Sequence, residues 1–434
     1  MKGIKLKMPN ASSESGLCVV GLGYIGLPTA VSFASKSLKV TGVDTSVARV
    51  RAVNEGLLPF SEPGLDKLLS DVVSKENLEA TLTPVPAENY IIAVPTPVKK
   101  DHSVDLSYIF AAADSISPVL RGDELIILES TVPPGTTEKL KDRILANRTD
   151  LRAESTGAPG LRFAHCPERV LPGKIMSEIH TNDRIVGGLT PQSSCDAKKL
   201  YGLISEGAIM TTDARTAELA KLTENTYRDI NIAFANELSI IAENQGVDVW
   251  ELIELANRHP RVNILRPGPG VGGHCIAVDP WFIVSSDPNN SPLISTARRV
   301  NLEKPEHVTQ QVLDEVRGEQ SPAIVFLGLS FKANVDDVRE SPSVTIISRV
   351  ASRLPQARIS VIDPHVKEMP ADLAKLKNVN FVDGYSCMQR ANVIIILVDH
   401  SDFYRLDWSN LPSGCRVVDT KGMLRNIEKG NDPL

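Results

Sequence analysis

Three glycines near the start of the chain place the strongest constraint on its fold. Gly21, Gly23 and Gly26 have the spacing GxGxxG, follow the apolar run 17–20 and open a stretch of helical character. In this context the first glycine permits a tight turn, the second lets the backbone approach a pyrophosphate, and the third allows close helix–strand packing. The phosphates then lie at a helix N-terminus, where N–H groups and the helix dipole favour anions. The pattern predicts a dinucleotide-binding βαβ unit.

An acidic residue follows at the position where a ribose is bound. Asp44 ends the next predicted strand, 39–43. Its carboxylate can accept hydrogen bonds from both ribose hydroxyls and would repel a 2′-phosphate, so NAD is predicted rather than NADP. The alternative is a glycine-rich turn that binds no ligand.

Strand and helix patterns alternate along most of the chain. Short β-branched runs at 91–94, 125–128 and 163–164 are separated by helical stretches, and strand signals return after residue 320. Such alternation is typical of parallel, doubly wound sheets. Between the two series, region 211–246 repeats apolar residues every three or four positions, which predicts one long amphipathic helix. The repeating residues are Leu219, Leu222, Thr226, Ile230, Phe234, Leu238 and Ile241.

Composition and charge exclude several classes of protein. The formal net charge is −6, whereas a nucleic-acid-binding protein needs a cationic face that displaces counterions. No apolar run approaches the roughly 18 residues of a membrane span, and the polar N-terminal stretch has no signal-peptide core. The six cysteines are scattered without a CxxC pair, which indicates reduced thiols. We expect a cytoplasmic enzyme that binds neither nucleic acid nor membrane.

The segment 266–275 is the most unusual in the chain. It holds the glycines 268, 270, 272 and 273 and the prolines 267 and 269, and it ends in His274-Cys275. Glycines let a substrate or another backbone come close, and a cysteine that ends such a loop is a candidate nucleophile. A buried, inert cysteine is the alternative. No metal site is predicted, because adjacent His-Cys pairs lack the usual spacing between zinc ligands.

Three polar residues form a stripe on the long helix. Lys221, Asn225 and Arg228 are separated by four and then three positions, so they share one helix face. The functional interpretation is a cation and an amide that serve a cleft with Cys275. The alternative is an ordinary solvated face. The second α/β region has Gly328-Leu329-Ser330-Phe331-Lys332 after its first strand and lacks the glycine fingerprint, so it is predicted to bind a different nucleotide.

With these residues the chain resembles the UDP-glucose/GDP-mannose dehydrogenase family over nearly its whole length. Besides the glycine fingerprint, the matching motifs are Val94-Pro95-Thr96-Pro97, Ser130-Thr131-Val132, Pro167-Glu168-Arg169, Lys221…Asn225, Gly272-Gly273-His274-Cys275…Asp279 and Phe331-Lys332…Asp337-Val338-Arg339-Glu340-Ser341-Pro342. The resemblance implies an α/β fold with two Rossmann-like doubly wound domains joined by a central helical dimerisation segment. The expected domains are an NAD-binding domain at 1–210, a central helical domain with the catalytic loop at 211–312 and a UDP-sugar-binding domain at 313–434.

The resemblance also implies a reaction and its catalytic residues. The C6 hydroxyl of a UDP-sugar is oxidised by four electrons to a carboxylate, and two NAD⁺ are consumed. Cys275 is expected to form a thiohemiacetal and then a thioester. Lys221 is expected to stabilise the oxyanion or to shuttle the C6 proton. Asp279 activates water, Thr131 and Glu168 position the water and the cofactor, and Asn225 acts beside them.

Binding residues follow from the same resemblance. The expected NAD contacts are Gly21, Gly23, Tyr24, Ile25, Gly26, Asp44, Arg49, Thr96, Thr131 and Arg339. The expected sugar-nucleotide contacts are Arg169, Val170, Lys221, Asn225, Arg228, His259, Arg261, Gly272, Phe331, Lys332 and Lys421. Arg261 is expected to come from a neighbouring subunit of a homo-oligomer that is at least a dimer.

One departure bears on the substrate. UDP-glucose enzymes of the family carry a second acidic residue shortly after the Pro-Glu pair, and here that place holds Pro172. Segment 259–263 and the run 267–282 look most like the branch that oxidises UDP-N-acetyl-D-mannosamine. A UDP-N-acetylhexosamine is therefore expected, with UDP-N-acetylglucosamine as the alternative. A protein that binds a nucleotide sugar without catalysis is an alternative of a different class.

Overall fold

The computed structural model describes residues 15–60, 62–99, 101–155, 158–171, 173–273 and 275–430. The N-terminal polar stretch, Pro172 and His274, on which expectations were placed, lie outside the described residues. The chain forms two compact units: Met1–Thr223 with Trp281–Ser286, and Glu224–Pro280 with Asp287–Leu434.

The first unit is built on a mainly parallel sheet. Its strands are β1 (Ser15–Val20), β2 (Val40–Val43), β3 (Leu78–Thr81), β4 (Ala87–Ile92), β5 (Leu125–Leu128), β6 (Arg162–His165), β7 (Arg184–Gly188) and β8 (Ile209–Asp213). Its helices are α1 (Gly26–Ser35), α2 (Val47–Asn54), α3 (Leu65–Ser74), α4 (Ser107–Ile116), α5 (Thr136–Asn147), α6 (Ile175–Thr181) and α7 (Pro191–Tyr201). Within the described residues the strand order is β3-β2-β1-β4-β5-β6-β7-β8, and the β6–β7 pair is antiparallel.

The strand order of this sheet determines where a ligand binds. The chain order reverses between the neighbours β1 and β4, and ligands of doubly wound folds bind at the carboxyl ends of the strands at such a point. Apolar side chains cover both faces of the sheet: Leu17 and Val19 of β1 enter one core, and Cys18 and Val20 enter the other. A strand that is buried on both faces has a continuous apolar sequence, which is why β1 could be predicted.

The second unit begins inside a long helix. Its helical part contains α8 (Ala214–Asn244), which starts in the first unit, then α9 (Val249–Ala256), α10 (Asp279–Ser286), which ends in the first unit, and α11 (Pro292–Glu315). The prediction that the long helix begins at residue 211 was wrong, because residues 211–213 belong to β8. Asp213 ends that strand, and its carboxylate accepts hydrogen bonds from the backbone N–H of Thr216 at 2.9 Å and the Thr216 hydroxyl at 2.6 Å.

The apolar repeat of α8 does not form one buried stripe. Leu222 and Thr226 are buried as expected, but Leu219, Phe234 and Ile241 are 42 %, 54 % and 51 % exposed. Alanines and polar side chains take much of the buried face instead, which apolar periodicity does not reveal. The exposed apolar residues form a second face of the helix.

A smaller parallel sheet forms the rest of the second unit. Its strands are β9 (Ala323–Leu327), β10 (Arg358–Ile362), β11 (Val379–Phe381), β12 (Val393–Ile396) and β13 (Arg416–Asp419), and its helices are α12 (Pro342–Arg353), α13 (Ala371–Ala374) and α14 (Met423–Glu428). Across the described chain these strands have the order β11-β10-β9-β12-β13. The expected α/β class with two Rossmann-like doubly wound domains and a helical segment between them is thus confirmed. In the part of the chain that the structure covers, no helix is long and apolar enough to cross a membrane.

Candidate active site

The glycine fingerprint forms the turn between β1 and α1. Gly21 has a φ of +97°, and a Cβ there would lie 2.5 Å from the Ala93 carbonyl oxygen. A Cβ on Gly26 would overlap the Gly21 carbonyl, whereas a Cβ on Gly23 would meet no atom within 4 Å. Space therefore exists at the second glycine, beside the N-terminus of α1, where a pyrophosphate can approach backbone N–H groups. The residues present fit a dinucleotide.

Asp44 lies at the carboxyl end of β2, beside this turn. Its carboxylate accepts hydrogen bonds from the backbone N–H of Leu22 at 3.0 Å and of Ser46 at 2.9 Å, and from the Arg49 guanidinium at 2.8 Å. Burial raises the pKa of Asp44, but the Ser46 N–H and Arg49 oppose this effect, and the pKa lies below its ordinary value. The negative charge predicted to select NAD is thus held in place.

Two threonines meet beyond the ends of β4 and β5. The Thr96 hydroxyl donates to the Thr131 carbonyl oxygen at 2.8 Å. The loop after Thr131 is anchored by Glu218 of α8, whose buried carboxylate accepts hydrogen bonds from the backbone N–H of Gly135 at 2.5 Å and of Thr137 at 2.7 Å. Glu218 precedes Lys221, which is half-buried, by three positions. The N-terminal part of α8 is therefore fixed against the loop that carries Thr131.

Glu168 belongs to a buried cluster of charges. Its carboxylate accepts from the Arg169 backbone N–H at 2.7 Å and from the Arg184 guanidinium at 3.1 Å. Nearby, Glu129 accepts from the hydroxyls of Thr29 at 3.0 Å and Tyr201 at 2.9 Å. Burial and the neighbouring Glu168 raise the pKa of Glu129 to about 8. Burial therefore favours the protonated form of the Glu129 carboxyl at neutral pH.

Glu62 connects the cofactor turn to the segment after Glu168. Its buried carboxylate accepts from the Tyr24 hydroxyl at 3.2 Å and from the backbone N–H groups of Gly173 at 2.9 Å and Ile175 at 2.8 Å. The Arg169 guanidinium donates to the Asp183 carbonyl oxygen at 2.9 Å. No role was predicted from the sequence for Glu62, Glu129 or Arg184. A charged residue near a strand or helix is expected to be exposed to solvent unless its burial is known.

In the second unit, Cys275 and Asp279 lie at the start of α10. The Cys275 carbonyl oxygen accepts from the backbone N–H of Asp279 at 2.8 Å, which forms a tight turn into the helix. Cys275 is exposed and Asp279 is buried. The Asn225 side-chain amide of α8 donates to the Asp279 carboxylate at 2.5 Å. The alternative in which Cys275 is buried is wrong, because the residue is exposed.

The glycines before Cys275 pack against the loop after β9. A Cβ on Gly272 would lie 2.5 Å from the Glu340 carbonyl oxygen, and one on Gly273 would lie 2.9 Å from the Phe331 ring. The Gly273 N–H donates to the Arg339 carbonyl oxygen at 3.1 Å. Only residues without a side chain allow this approach, which explains why positions 272 and 273 are glycines.

The remaining expected binding residues are placed as follows. Within the second unit, Lys332 lies with its ammonium group 5.7 Å from the centre of the Phe331 ring, and Lys421 lies 3.5 Å from Asp399. His259 and Arg261 lie in an exposed turn after α9, in which the Arg261 N–H donates to the His259 ring at 3.3 Å. Arg228 is exposed on α8. Arg339 belongs to the second unit, whereas the other expected NAD contacts belong to the first. The first unit also contains three of the expected sugar contacts: Arg169, Val170 and Lys221.

The second sheet has an acidic residue where the first has Asp44, but its surroundings differ. Asp363 follows β10 and accepts from the backbone N–H groups of Leu329 at 2.7 Å and Ser330 at 3.2 Å. The buried ring of His400 lies 3.1 Å from the same carboxylate. These neighbours surround the carboxylate within the protein, in keeping with the absence of a dinucleotide fingerprint there.

Comparisons with known proteins agree with this architecture. The chain matches the NAD-binding domain of the UDP-glucose/GDP-mannose dehydrogenase family at residues 15–205, its central domain at 215–303 and its UDP-binding domain at 325–426. It is 50 % identical over 409 residues to the NDP-N-acetyl-D-galactosaminuronic acid dehydrogenase of Ralstonia nicotianae, covering 94 % of this chain and 96 % of that protein. It is 47 % identical over 423 residues to the UDP-N-acetyl-D-mannosamine dehydrogenase of Salmonella typhimurium, covering 95 % and 100 %.

A solved structure shares the fold at nearly full length. The UDP-N-acetyl-mannosamine dehydrogenase Cap5O of S. aureus has a TM-score of 0.82 and 40 % identity, covering 94 % of this chain and 95 % of that chain. The fold and these matches define an NAD-dependent oxidoreductase that acts on nucleotide sugars. The chain belongs to the UDP-glucose/GDP-mannose dehydrogenase family.

Proposed function

We propose that the chain oxidises the C6 hydroxyl of UDP-N-acetyl-D-mannosamine to the carboxylate of UDP-N-acetyl-D-mannosaminuronate. The observation that carries this proposal is the contact between Asn225 and Asp279 in the turn that presents Cys275, in a chain 47 % identical to a UDP-N-acetyl-D-mannosamine dehydrogenase. The domain division expected from the sequence, at 1–210, 211–312 and 313–434, is part of the proposal. The family matches at 15–205, 215–303 and 325–426 support it.

The first unit is proposed to hold NAD⁺, which accepts a hydride in each of the two oxidations. Gly23 leaves space for the pyrophosphate at the N-terminus of α1, and the Asp44 carboxylate accepts hydrogen bonds from the ribose hydroxyls. Thr96 and Thr131 hold each other through the hydrogen bond between them. The remaining cofactor contacts proposed are Gly21, Tyr24, Ile25, Gly26, Arg49 and Arg339. Glu168, whose carboxylate accepts a hydrogen bond from Arg184, orients the water of the final step.

The second unit is proposed to carry the covalent chemistry. The Cys275 thiolate attacks the C6 aldehyde and forms a thiohemiacetal, which the second oxidation converts to a thioester. Water then displaces the sulfur, and Asp279, oriented by the Asn225 amide, accepts the water's proton. Lys221, one helical turn before Asn225, stabilises the oxyanion. The tether prevents a free aldehyde from diffusing away between the two oxidations.

The sugar nucleotide is proposed to bind through residues of several segments. These residues are Arg169, Val170, Lys221, Asn225, Arg228, His259, Arg261, Gly272, Phe331, Lys332 and Lys421. Gly272 lies against the loop that carries Phe331 and Lys332, and the cations match the diphosphate by charge. This set describes a UDP-N-acetylhexosamine site, for which the absence of an acidic residue at position 172 is the supporting sequence feature.

A second candidate substrate has N-acetylgalactosamine in place of N-acetylmannosamine. It is favoured by the 50 % identity to a protein named NDP-N-acetyl-D-galactosaminuronic acid dehydrogenase. UDP-N-acetylglucosamine remains the alternative considered from the sequence. N-acetylglucosamine differs from N-acetylmannosamine at C2 and from N-acetylgalactosamine at C4, so contacts to the acetamido group and to one hydroxyl decide among the three sugars.

A panel of purified sugar nucleotides tests the proposal. NADH formation is measured with UDP-N-acetylmannosamine, UDP-N-acetylgalactosamine, UDP-N-acetylglucosamine and UDP-glucose at equal NAD⁺. We expect the highest kcat/KM with UDP-N-acetylmannosamine and two NADH per sugar consumed. A panel led by another N-acetylhexosamine would replace the proposed substrate, one led by UDP-glucose would overturn the N-acetylhexosamine assignment, and no NADH with any sugar would favour a non-catalytic binding protein.

We also propose that the chain works as a homo-oligomer, at least a dimer, with Arg261 supplied by the neighbouring subunit. Tyr227, Phe234 and Ile241 are 66 %, 54 % and 51 % exposed and recur every seven residues on α8. Residues seven apart lie on one helix face, and a continuous exposed apolar face favours burial against a partner. A second copy of this chain offers the same face, as a two-fold dimer requires.

A further inference from the structure

A chain of buried polar side chains joins α8 and α11 in the second unit. Asp229 and Asn236 of α8 are 0 % exposed, and Arg298 and Asn301 of α11 are 1 % and 2 % exposed. Burying polar groups is costly unless each finds a partner, so four of them in one place require a structural reason. Their hydrogen bonds lead to the glycine-rich loop that ends at Cys275.

The links are continuous from one end to the other. The Arg298 guanidinium donates to the Asp229 carboxylate at 2.6 Å. The Asn301 amide nitrogen donates to the same carboxylate at 2.8 Å and to the Asp229 carbonyl oxygen at 3.0 Å. The Asn236 amide nitrogen donates to the Asn301 amide oxygen at 2.9 Å. The Asn236 amide oxygen then accepts from the Gly268 N–H at 2.9 Å.

Both ends of this chain impose the same orientation on the two asparagines. The Asp229 carbonyl oxygen can only accept, so the Asn301 nitrogen must face it and the Asn301 oxygen must face Asn236. The Gly268 N–H can only donate, so the Asn236 oxygen must face it and the Asn236 nitrogen must face Asn301. A flipped amide at either position would set two donors or two acceptors against each other. The network therefore presents one acceptor to the loop.

Gly268 depends on that acceptor because of its neighbours in sequence. Pro267 and Pro269 have no backbone N–H, so Gly268 supplies the single main-chain donor of this buried tripeptide. The other end of the loop is held where the Gly273 N–H donates to the Arg339 carbonyl oxygen at 3.1 Å. Asn236 thus anchors the start of the loop, and the loop after β9 anchors its end, two residues before Cys275.

We propose that Asn236 is a positioning residue for Cys275: its side-chain oxygen fixes the start of the glycine-rich loop and thereby the place of the nucleophile. Asn236 acts through the Gly268 backbone and is assigned no contact with the substrate. The inference rests on the proposed function, which makes Cys275 the attacking group. Displacing a reacting atom by about 1 Å can lower a rate about 100-fold, even when the substitution is remote from the chemistry.

Two substitutions with opposite effects on volume test the role. Asn236→Leu fills the space without a polar atom, and Asn236→Ser leaves a hydroxyl too short to reach Gly268. Both are expected to lower kcat about 100-fold, as loop displacement requires, with the KM for NAD⁺ unchanged. The control is Thr309→Val on α11: Thr309 is also fully buried, but its hydroxyl bonds to the Pro305 carbonyl of its own helix. This control should lower the Tm and leave kcat unchanged.

Hydrogen–deuterium exchange measures directly whether the Gly268 N–H is protected by its hydrogen bond to Asn236. In a peptide that contains Pro267–Pro269, one amide reports on Gly268. It should exchange slowly in the wild-type protein and in Thr309→Val, and fast in both Asn236 variants under conditions where they remain folded. The wild-type measurement stands even if a variant does not fold.

Two outcomes would overturn the proposal. One is exchange of the wild-type Gly268 amide at the rate of an exposed amide. The other is a folded Asn236 variant with wild-type kcat. Failure of the proposed function is distinguishable, because it would appear in the wild-type protein as no NADH with any sugar, or as undiminished activity of Cys275→Ala, whatever the exchange of Gly268.

Discussion

Asn225→Asp would set two carboxylates against each other in the turn that presents Cys275. The Asn225 amide nitrogen lies 2.5 Å from the Asp279 carboxylate, so the isosteric change leaves the shape intact and replaces a donor by an acceptor. With the charge centres about 4 Å apart and an effective dielectric constant of about 20, repulsion between two ionised groups is about 4 kcal/mol. At 1.36 kcal/mol per pKa unit, this raises the pKa of the second ionisation by about 3 units. Because Asn225 is half-buried, screening by water makes this figure an upper bound.

The sign of the effect on stability follows from that shift. An ordinary aspartate has a pKa of about 3.9, so the pair would lose its last proton at or below about pH 7 in the folded protein. A carboxyl whose folded pKa is raised contributes stability below about pH 4 and loses it progressively up to about pH 7. The Tm of Asn225→Asp, relative to wild type, should therefore fall between pH 5 and pH 7 and stay level above. For a unit of this size, about 4 kcal/mol corresponds to roughly 10 °C.

The assay is thermal unfolding of wild type, Asn225→Asp and Asn225→Ala from pH 5 to pH 9. Asn225→Ala removes the same hydrogen bond without adding a charge, so its Tm deficit should not depend on pH through this range. A deficit of Asn225→Asp that is equal at pH 5 and pH 8 would refute the reasoning. It would mean that the two side chains are not in contact in solution.

Three further predictions concern the cofactor, the buried charges and assembly. Asp44→Ala should weaken NAD⁺ binding and relax discrimination against NADP⁺, because Arg49 is released from the carboxylate. The ratio of kcat/KM with NAD⁺ to kcat/KM with NADP⁺ measures the discrimination, and an unchanged ratio would contradict the prediction. Glu129→Gln should raise the Tm relative to wild type at pH 8 but not at pH 5. The reason is that the pKa of Glu129 is raised to about 8, so the stability of the wild-type protein declines as the pH rises toward that value. Equal effects on the Tm at both pH values would argue against the raised pKa. Phe234→Glu and Ile241→Glu should each move the mass measured by light scattering toward the monomer, and a wild-type protein active as a monomer would contradict the proposed assembly.

Local sequence was enough to predict the parallel sheets and the cofactor turn. Gly21, Gly23, Gly26 and Asp44 act within one βαβ unit, where each requirement is a short-range constraint on the backbone. The two sheets follow from apolar runs bounded by turn residues. The strands β3 and β8 are partly exposed and lack such runs. They were not predicted, and neither were β7 and β11.

Pairs that are distant in sequence could not be derived from the sequence pattern. Asn225 and Asp279 are 54 positions apart, and only the path of the loop decides that their side chains meet. Asn236 lies on a helix whose apolar period suggested a single buried stripe, yet it is completely buried. A polar residue on an amphipathic helix is expected to be exposed to solvent until the helix that packs against it is known. The same holds for Glu129.

The central claim is that residue 275 carries the sugar covalently between the two oxidations. Cys275→Ser tests it most directly, because serine can attack the aldehyde but its ester hydrolyses far more slowly than a thioester. Incubation with the best substrate of the panel and NAD⁺, followed by intact mass spectrometry and peptide mapping, should show a sugar-nucleotide adduct on residue 275. Cys275→Ala should give no adduct and almost no uronate. Uronate formation by Cys275→Ala at the wild-type rate, with no adduct on Cys275→Ser, would contradict the covalent mechanism.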